Sequence, residues 1–170
     1  MGKLYALILG SLLALAVLQG CSTPQLLNNS STIADETFFN EPFGFTTHEI
    51  DQFREHYPKA NESYVLKRNQ HYPEKADTIY KFSQGKSEVF FYRSFSGKTF
   101  LLAANIKDDA FPLRNNVQPG ISRKDLCNYI KGLPCSGESP YTKKAQNAAF
   151  KLFFNGQREL ERIFFQYYPD

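Results

Sequence analysis

The chain has 170 residues, 20 Lys+Arg against 17 Asp+Glu, and a formal net charge of +3. So small a charge argues against nucleic acid or a polybasic membrane patch as partner. The length suits one domain or two small ones, and 16 Phe and 10 Tyr with no Trp and one Met suit sheets with ring-filled faces.

Residues 1–20 have the three-part layout of an export signal. Lys3 is the lone charge, and residues 4–18, LYALILGSLLALAVL, form an apolar stretch short of the about 20 residues that span a bilayer. Leu18-Gln19-Gly20-Cys21 closes it as a lipobox. The pattern resembles the bacterial lipoprotein signal. That resemblance implies a mature chain beginning at Cys21, with a diacylglycerol on its sulfur and an acyl chain such as palmitate on its amine. Each buried methylene contributes about 0.8 kcal/mol, and more than one chain makes the anchor stable. Ser22 in place of Asp implies sorting to the outer membrane, facing the periplasm. The alternatives are a plain secretory leader and a short uncleaved anchor.

Residues 21–40 are rich in Asn, Ser and Thr and read as a flexible tether. Pro42 and Gly44 mark the entrance to a first α+β unit over residues 41–110. Thr46 to Tyr57 reads as a helix, with Thr46 and Glu49 as a capping box, Ile50, Phe53 and Tyr57 as an apolar stripe, and Pro58 as the stop. Ser63 to Leu66, Thr78 to Phe82, Glu88 to Arg93 and Thr99 to Ile106 read as strands. Ser83-Gln84-Gly85 and Phe95-Ser96-Gly97-Lys98 are the turns of an antiparallel meander.

A second unit over residues 111–170 repeats the order. Ser122 to Lys131 reads as a helix, capped by Ser122 with Asp125 at the box position and stopped by Gly132 and Pro134. A polar loop is expected to about Asn147. Ala149 to Phe154, Asn155-Gly156 and Glu159 to Tyr168 then form a hairpin. A helix face through Leu160, Ile163, Phe164, Tyr167 and Tyr168 competes. The Asn-Gly turn and the Phe/Tyr enrichment favour the strand. In an exported chain the remaining cysteines, Cys127 and Cys135, are expected to form a disulfide worth about 2–3 kcal/mol.

The two helices align at an offset of 76 residues: Gly44 on Gly120, Thr46 on Ser122, Glu49 on Asp125, Ile50 on Leu126, Phe53 on Tyr129 and Pro58 on Pro134. The hairpins align as Phe82 on Phe153, Gly85 on Gly156, Glu88 on Glu159 and Val89 on Leu160, which suggests a tandem duplication. Gly120-Ile121-Ser122-Arg123-Lys124-Asp125-Leu126, closing at Gly132-Leu133-Pro134, resembles the signature of outer-membrane assembly lipoproteins of the BamE (SmpA/OmlA) type. In tandem, the unit resembles the secreted β-lactamase inhibitor protein. The resemblance implies an α+β fold, with helices packed on one face of an antiparallel meander sheet. Residues 63–76 and 99–118 have no counterpart in it.

No nucleophile elbow, P-loop or HExxH motif is present. His48 and His56 are eight apart, off the i, i+4 spacing of a two-ligand helical site, and His71 stands alone. No cofactor, metal or catalytic residue is expected. The expected role is a lipid-anchored module that binds another envelope protein, as an assembly or scaffold component. Candidate interface residues are Phe90, Phe91, Tyr92, Phe164, Phe165, Tyr167 and Tyr168, since aromatics anchor interfaces well. The alternatives are a lipoprotein inhibitor of a hydrolase such as lysozyme or β-lactamase and, less favoured, an envelope enzyme.

Overall fold

The structure is a computed structural model that describes residues 33–45, 49–145 and 148–168. Cys21, the leader, Thr46 and His48 lie outside these residues. Seven strands form one antiparallel sheet: β2 (Asn61–Arg68), β3 (Ala76–Gln84), β4 (Ser87–Arg93), β5 (Thr99–Ile106), β7 (Tyr141–Ala145), β8 (Ala148–Phe154) and β9 (Leu160–Tyr167). Their order across the sheet is β2-β3-β4-β5-β9-β8-β7. Three short helices accompany them: α1 (Asp35–Asn40), α2 (Ile50–His56) and α3 (Arg123–Tyr129). Two-residue strands β1 (Ile33–Ala34) and β6 (Ile130–Lys131) pair in parallel. The α+β class is as expected. Among the described residues no helix is long and apolar enough to cross a membrane.

The strand boundaries follow from alternation. In β4, Ser87, Val89 and Phe91 are buried while Glu88, Phe90 and Tyr92 are half-buried, so one face meets the core. α2 covers that face. Phe53 is fully buried and lies with its ring 4.9 Å from Phe82, 5.2 Å from Phe91 and 5.5 Å from Phe111. On the same side α1 sets the Phe38 and Phe39 rings 5.8 and 4.8 Å from Phe150. α3 adds Leu126, Cys127 and Tyr129 to the same cluster. Both halves of the chain therefore share one sheet and one core.

Several expectations are corrected. The last part of the expected tether, residues 33–40, belongs to the fold, because burying two phenylalanines outweighs the polar character of the surrounding sequence. α2 starts at Ile50, after a Glu49 that is not helical and makes no side-chain cap bond, while the expected cap Thr46 lies outside the described residues. α3 is capped as expected, with Ser122 Oγ accepting from the Asp125 N–H at 3.1 Å. It ends at Tyr129, since Ile130 turns extended to pair with Ile33. The expected loop before Asn147 contains β7, an edge strand whose polar sequence YTKKA is held by pairing to β8. The tail is the strand β9.

The hairpin correspondence also shifts. Gly85 lies in a two-residue turn between the paired Gln84 and Ser87, whereas Gly156 lies in a five-residue loop between the paired Phe154 and Leu160. The loop that matches the latter joins β4 to β5. There the Ser94 N–H donates to the Lys98 carbonyl, the Gly97 N–H to the Ser94 carbonyl and the Lys98 N–H to Ser94 Oγ. At Asn155, Arg158 and Glu159 the same three bonds recur, with Asn155 Oδ1 as the side-chain acceptor. Gly97 and Arg158, at the same loop position, both have positive φ, 87° and 63°. An offset of 61 residues thus carries Ser94 onto Asn155, Ser87 onto Ala148 and Gln84 onto Ala145. Ala104 and Phe165, also 61 apart, are paired where β5 meets β9. That seam relates the hairpins as a two-fold axis would. The bulges break the correspondence, falling at Leu102 in β5 and Glu161 in β9.

Candidate functional site: the open face of the sheet

The described helices pack on one face of the sheet. The register places Phe90 and Tyr92 of β4, Phe100 of β5, Phe164 of β9 and Phe153 of β8 together on the other. Tyr92 and Phe100 stack with ring centroids 4.9 Å apart. Lys81 pairs with Glu88 at 2.6 Å and lies 5.9 Å from the Phe90 ring. Arg162 lies 3.8 Å over Phe153, and Lys151 stands opposite Phe164. The face is aromatic at its centre and basic toward β8. Asn105 Oδ1, on the same face opposite Glu88 and Phe164, is a buried acceptor with no donor among the described residues.

One end of this face is held by Asp77. Its Oδ1 accepts from the Phe95 N–H at 2.9 Å and its Oδ2 from Asn69 Nδ2 at 2.8 Å. Burial pushes the Asp77 carboxyl up. Hydrogen bonds from Tyr92, Phe95 and Asn69, with the Lys67 charge, outweigh burial and hold it below the ordinary carboxylate range. Burial and the bond to Asp77 push the Tyr92 hydroxyl up to about 12. The β2–β3 connection and the β4–β5 loop are thereby tied together, and their tips present Tyr72 and Phe95, both exposed, with rings 5.2 Å apart.

Alternation sorts the candidate interface residues. Phe90, Tyr92 and Phe164 lie on the open face. Phe91 and Phe165 do not: their side chains point into the core and are 0% and 7% exposed. Consecutive residues of a strand face opposite ways, so an aromatic run cannot serve one surface. Tyr167 is half-buried, with its ring 5.2 Å from Phe100. Tyr168 is exposed just past β9. Sequence reasoning missed Phe100 and Phe153, although stepping by two along their strands and pairing them across the sheet finds both.

Cys127 and Cys135 form the expected disulfide, with Cα atoms 5.2 Å apart. The segment around Cys135 is also held by Arg123, a buried cation. Arg123 donates to the carbonyls of Pro134, Ser136, Gly137 and Glu138 and lies 4.6 Å over the Phe154 ring.

A cleft of about 310 Å³ lies between the start of α2 and the β4–β5 loop, lined by Glu49, Ile50, Asp51, Gln52, Arg93, Gly97 and Thr99. Among the described residues its polar lining is the carboxylates of Glu49 and Asp51, the Gln52 amide, the Arg93 guanidinium and the Thr99 hydroxyl. The His56 ring lies tilted 5.0 Å from that of Phe45, and the His71 backbone N–H donates to Asn69 Oδ1. Among the described residues no three His, Cys, Asp or Glu side chains gather as a metal site. No protein-family model, no curated protein and no solved structure matches this chain.

Proposed function

We propose that this chain is an envelope lipoprotein, anchored through Cys21 in a bacterial outer membrane and facing the periplasm, that binds another envelope protein with the open face of its sheet. The observation that carries the reading is the split of the aromatic side chains, with one set filling the core and Phe90, Tyr92, Phe100 and Phe164 gathered on the face opposite the described helices. An apolar centre beside a basic rim fits a partner with an apolar patch bordered by carboxylates. A donor from that partner would also satisfy Asn105 Oδ1. The seam at Ala104 and Phe165 and the matched loops support a tandem duplication, which is in keeping with the BamE-type and β-lactamase inhibitor resemblance of the helix motif.

The test places a photo-crosslinking phenylalanine analogue at position 90 or 164 of the full chain in intact cells. The expected result is one discrete heavier adduct at both positions and none at Lys59, which lies on the α2–β2 turn. Adducts scattered over many proteins, or none at native abundance, would count against the reading. The same repeat favours a second reading, inhibition of a foreign hydrolase. Purified protein that leaves lysozyme and β-lactamase fully active removes it.

A further inference from the structure

The sheet has two edges, and they are built differently. β7 carries Lys143 and Lys144 in mid-strand, the usual device that keeps an edge from pairing with another chain. β2 carries Tyr64-Val65-Leu66 there instead, 65, 60 and 68% exposed, with no proline. All eight of its residues are exposed, and among the described residues β3 is the only strand it pairs with. Its charges are segregated: Glu62 is near one end, Lys67 and Arg68 at the other.

We propose that β2 pairs antiparallel with β2 of a second copy of this chain, joining two sheets across a two-fold axis at Val65. Symmetry restricts the choices. A two-fold normal to an antiparallel ladder relates directly opposed residues, so one residue must face its own copy. With Tyr64 on the axis, Glu62 faces Leu66. With Leu66 on the axis, Arg68 faces Tyr64. With Val65 on the axis, Glu62 faces Arg68 and Tyr64 faces Leu66, each twice. Only the last register matches charge to charge and apolar to apolar. The sheet is already prepared for it. Glu62 is opposite Phe82 and shares the helix-bearing face, where Arg54 grips its carboxylate at 2.9 and 2.7 Å. Arg68 has the same facing and uses Nε for the Pro73 carbonyl. In the pair, Glu62 bridges Arg54 of its own chain and the Arg68 of the second copy. This contact lies at the sheet edge and does not depend on the open face binding a partner.

The test is a set of single cysteines in the full chain, treated with a mild oxidant in cells and run on non-reducing gels. Directly opposed residues have Cβ atoms about 4.5–5.5 Å apart, close to disulfide reach. Val65→Cys is expected to give a species of twice the chain's mass. Ser63→Cys and Lys67→Cys face each other in this register, and each lies roughly 13 Å from its own copy at about 3.3 Å per residue. Each alone is expected to stay monomeric, while co-expression of the two gives the double-mass species. Retention of the Cys127–Cys135 disulfide reports that each variant is folded. A folded Val65→Cys that stays monomeric overturns the proposal, as it would if residues 1–32 of the same chain covered the edge. An adduct of Val65→Cys with a different protein also overturns it, assigning the edge to a foreign strand. Equal double-mass yields from all three single variants mean random collision and overturn the register.

Discussion

Phe53 lies at the crowded centre of the core. Its ring is between 4.7 and 6.3 Å from those of Phe43, Phe45, Tyr57, Phe82, Phe91 and Phe111. A cavity at this point is walled by rigid rings that cannot collapse into it. Phe53→Ala is therefore expected to lower unfolding free energy by about 3–5 kcal/mol in denaturant titrations. Asp108 is a different kind of keystone. It accepts from the Lys86 N–H, Ser87 Oγ and the Ala110 N–H, and so clips the β3–β4 turn to the exit of β5. Gly85 leaves room for that carboxylate: with φ at +58°, a Cβ there would collide with Asp108. Burial pushes the Asp108 carboxyl up, but these bonds and the Lys86 charge outweigh burial and hold it below the ordinary range. A depressed folded-state value means the stabilisation is fully present above the unfolded value, about 3.9, and is lost as pH falls through the lower folded value. Asp108→Asn is thus expected to be less stable than the parent at pH 7. The gap should narrow progressively below about pH 4, as read by thermal melts across pH. A gap that stays constant would show that charge plays no part.

At the scale of elements, the loop of residues 134–138 is fastened twice, by the Cys127–Cys135 bond and by Arg123. Cys127→Ser with Cys135→Ser is expected to cost about 2–3 kcal/mol and still leave a folded protein, because the Arg123 bonds to the backbone carbonyls persist. Adding Arg123→Ala should cost more in that background than in the parent, a coupling that a double-mutant cycle reads directly. The sequence anticipated this disulfide through an even cysteine pair behind an expected export signal, and the α3 cap through Ser122 and Asp125. Most strands were legible too, because period-two burial and glycine turns are local signals. α1 and β7 were not. Asp35–Asn40 is helical where two phenylalanines dock on Phe150, and Tyr141–Ala145 is a strand where β8 offers its edge. Both depend on residues distant in sequence. The hairpin correspondence failed for a related reason. Glycines mark turns of any length, whereas the shared hydrogen-bond pattern of the Ser94 and Asn155 loops is visible only in three dimensions. Of the candidate site, the presence of an aromatic surface was readable. Which rings it holds required the pairing register.

For the molecule as a whole, the sheet divides labour between its faces, and that division can be measured. Phe90 and Phe91 are adjacent in sequence and alike in chemistry, yet Phe91 is fully buried and Phe90 only half-buried. If the open face is a binding surface, its rings contribute to affinity and the core rings to stability. Phe90→Ser combined with Phe164→Ser is expected to change unfolding free energy by less than about 2 kcal/mol, because both side chains already meet solvent. Phe91→Ser is expected to cost more than about 3 kcal/mol, since it both empties core volume and buries a hydroxyl. Partner capture should show the reverse order. Losing two anchoring aromatics typically weakens an interface by at least about 2 kcal/mol, roughly a thirtyfold fall in affinity. With the photo-crosslinking analogue placed instead at position 153 on the same face, cross-link yield from cells carrying the Phe90/Phe164 variant should therefore collapse at unchanged protein level, with the native disulfide intact. Yield that survives this change would mean the rings merely cover the sheet, and binding would have to be sought at the Tyr72–Phe95 tip or along β2.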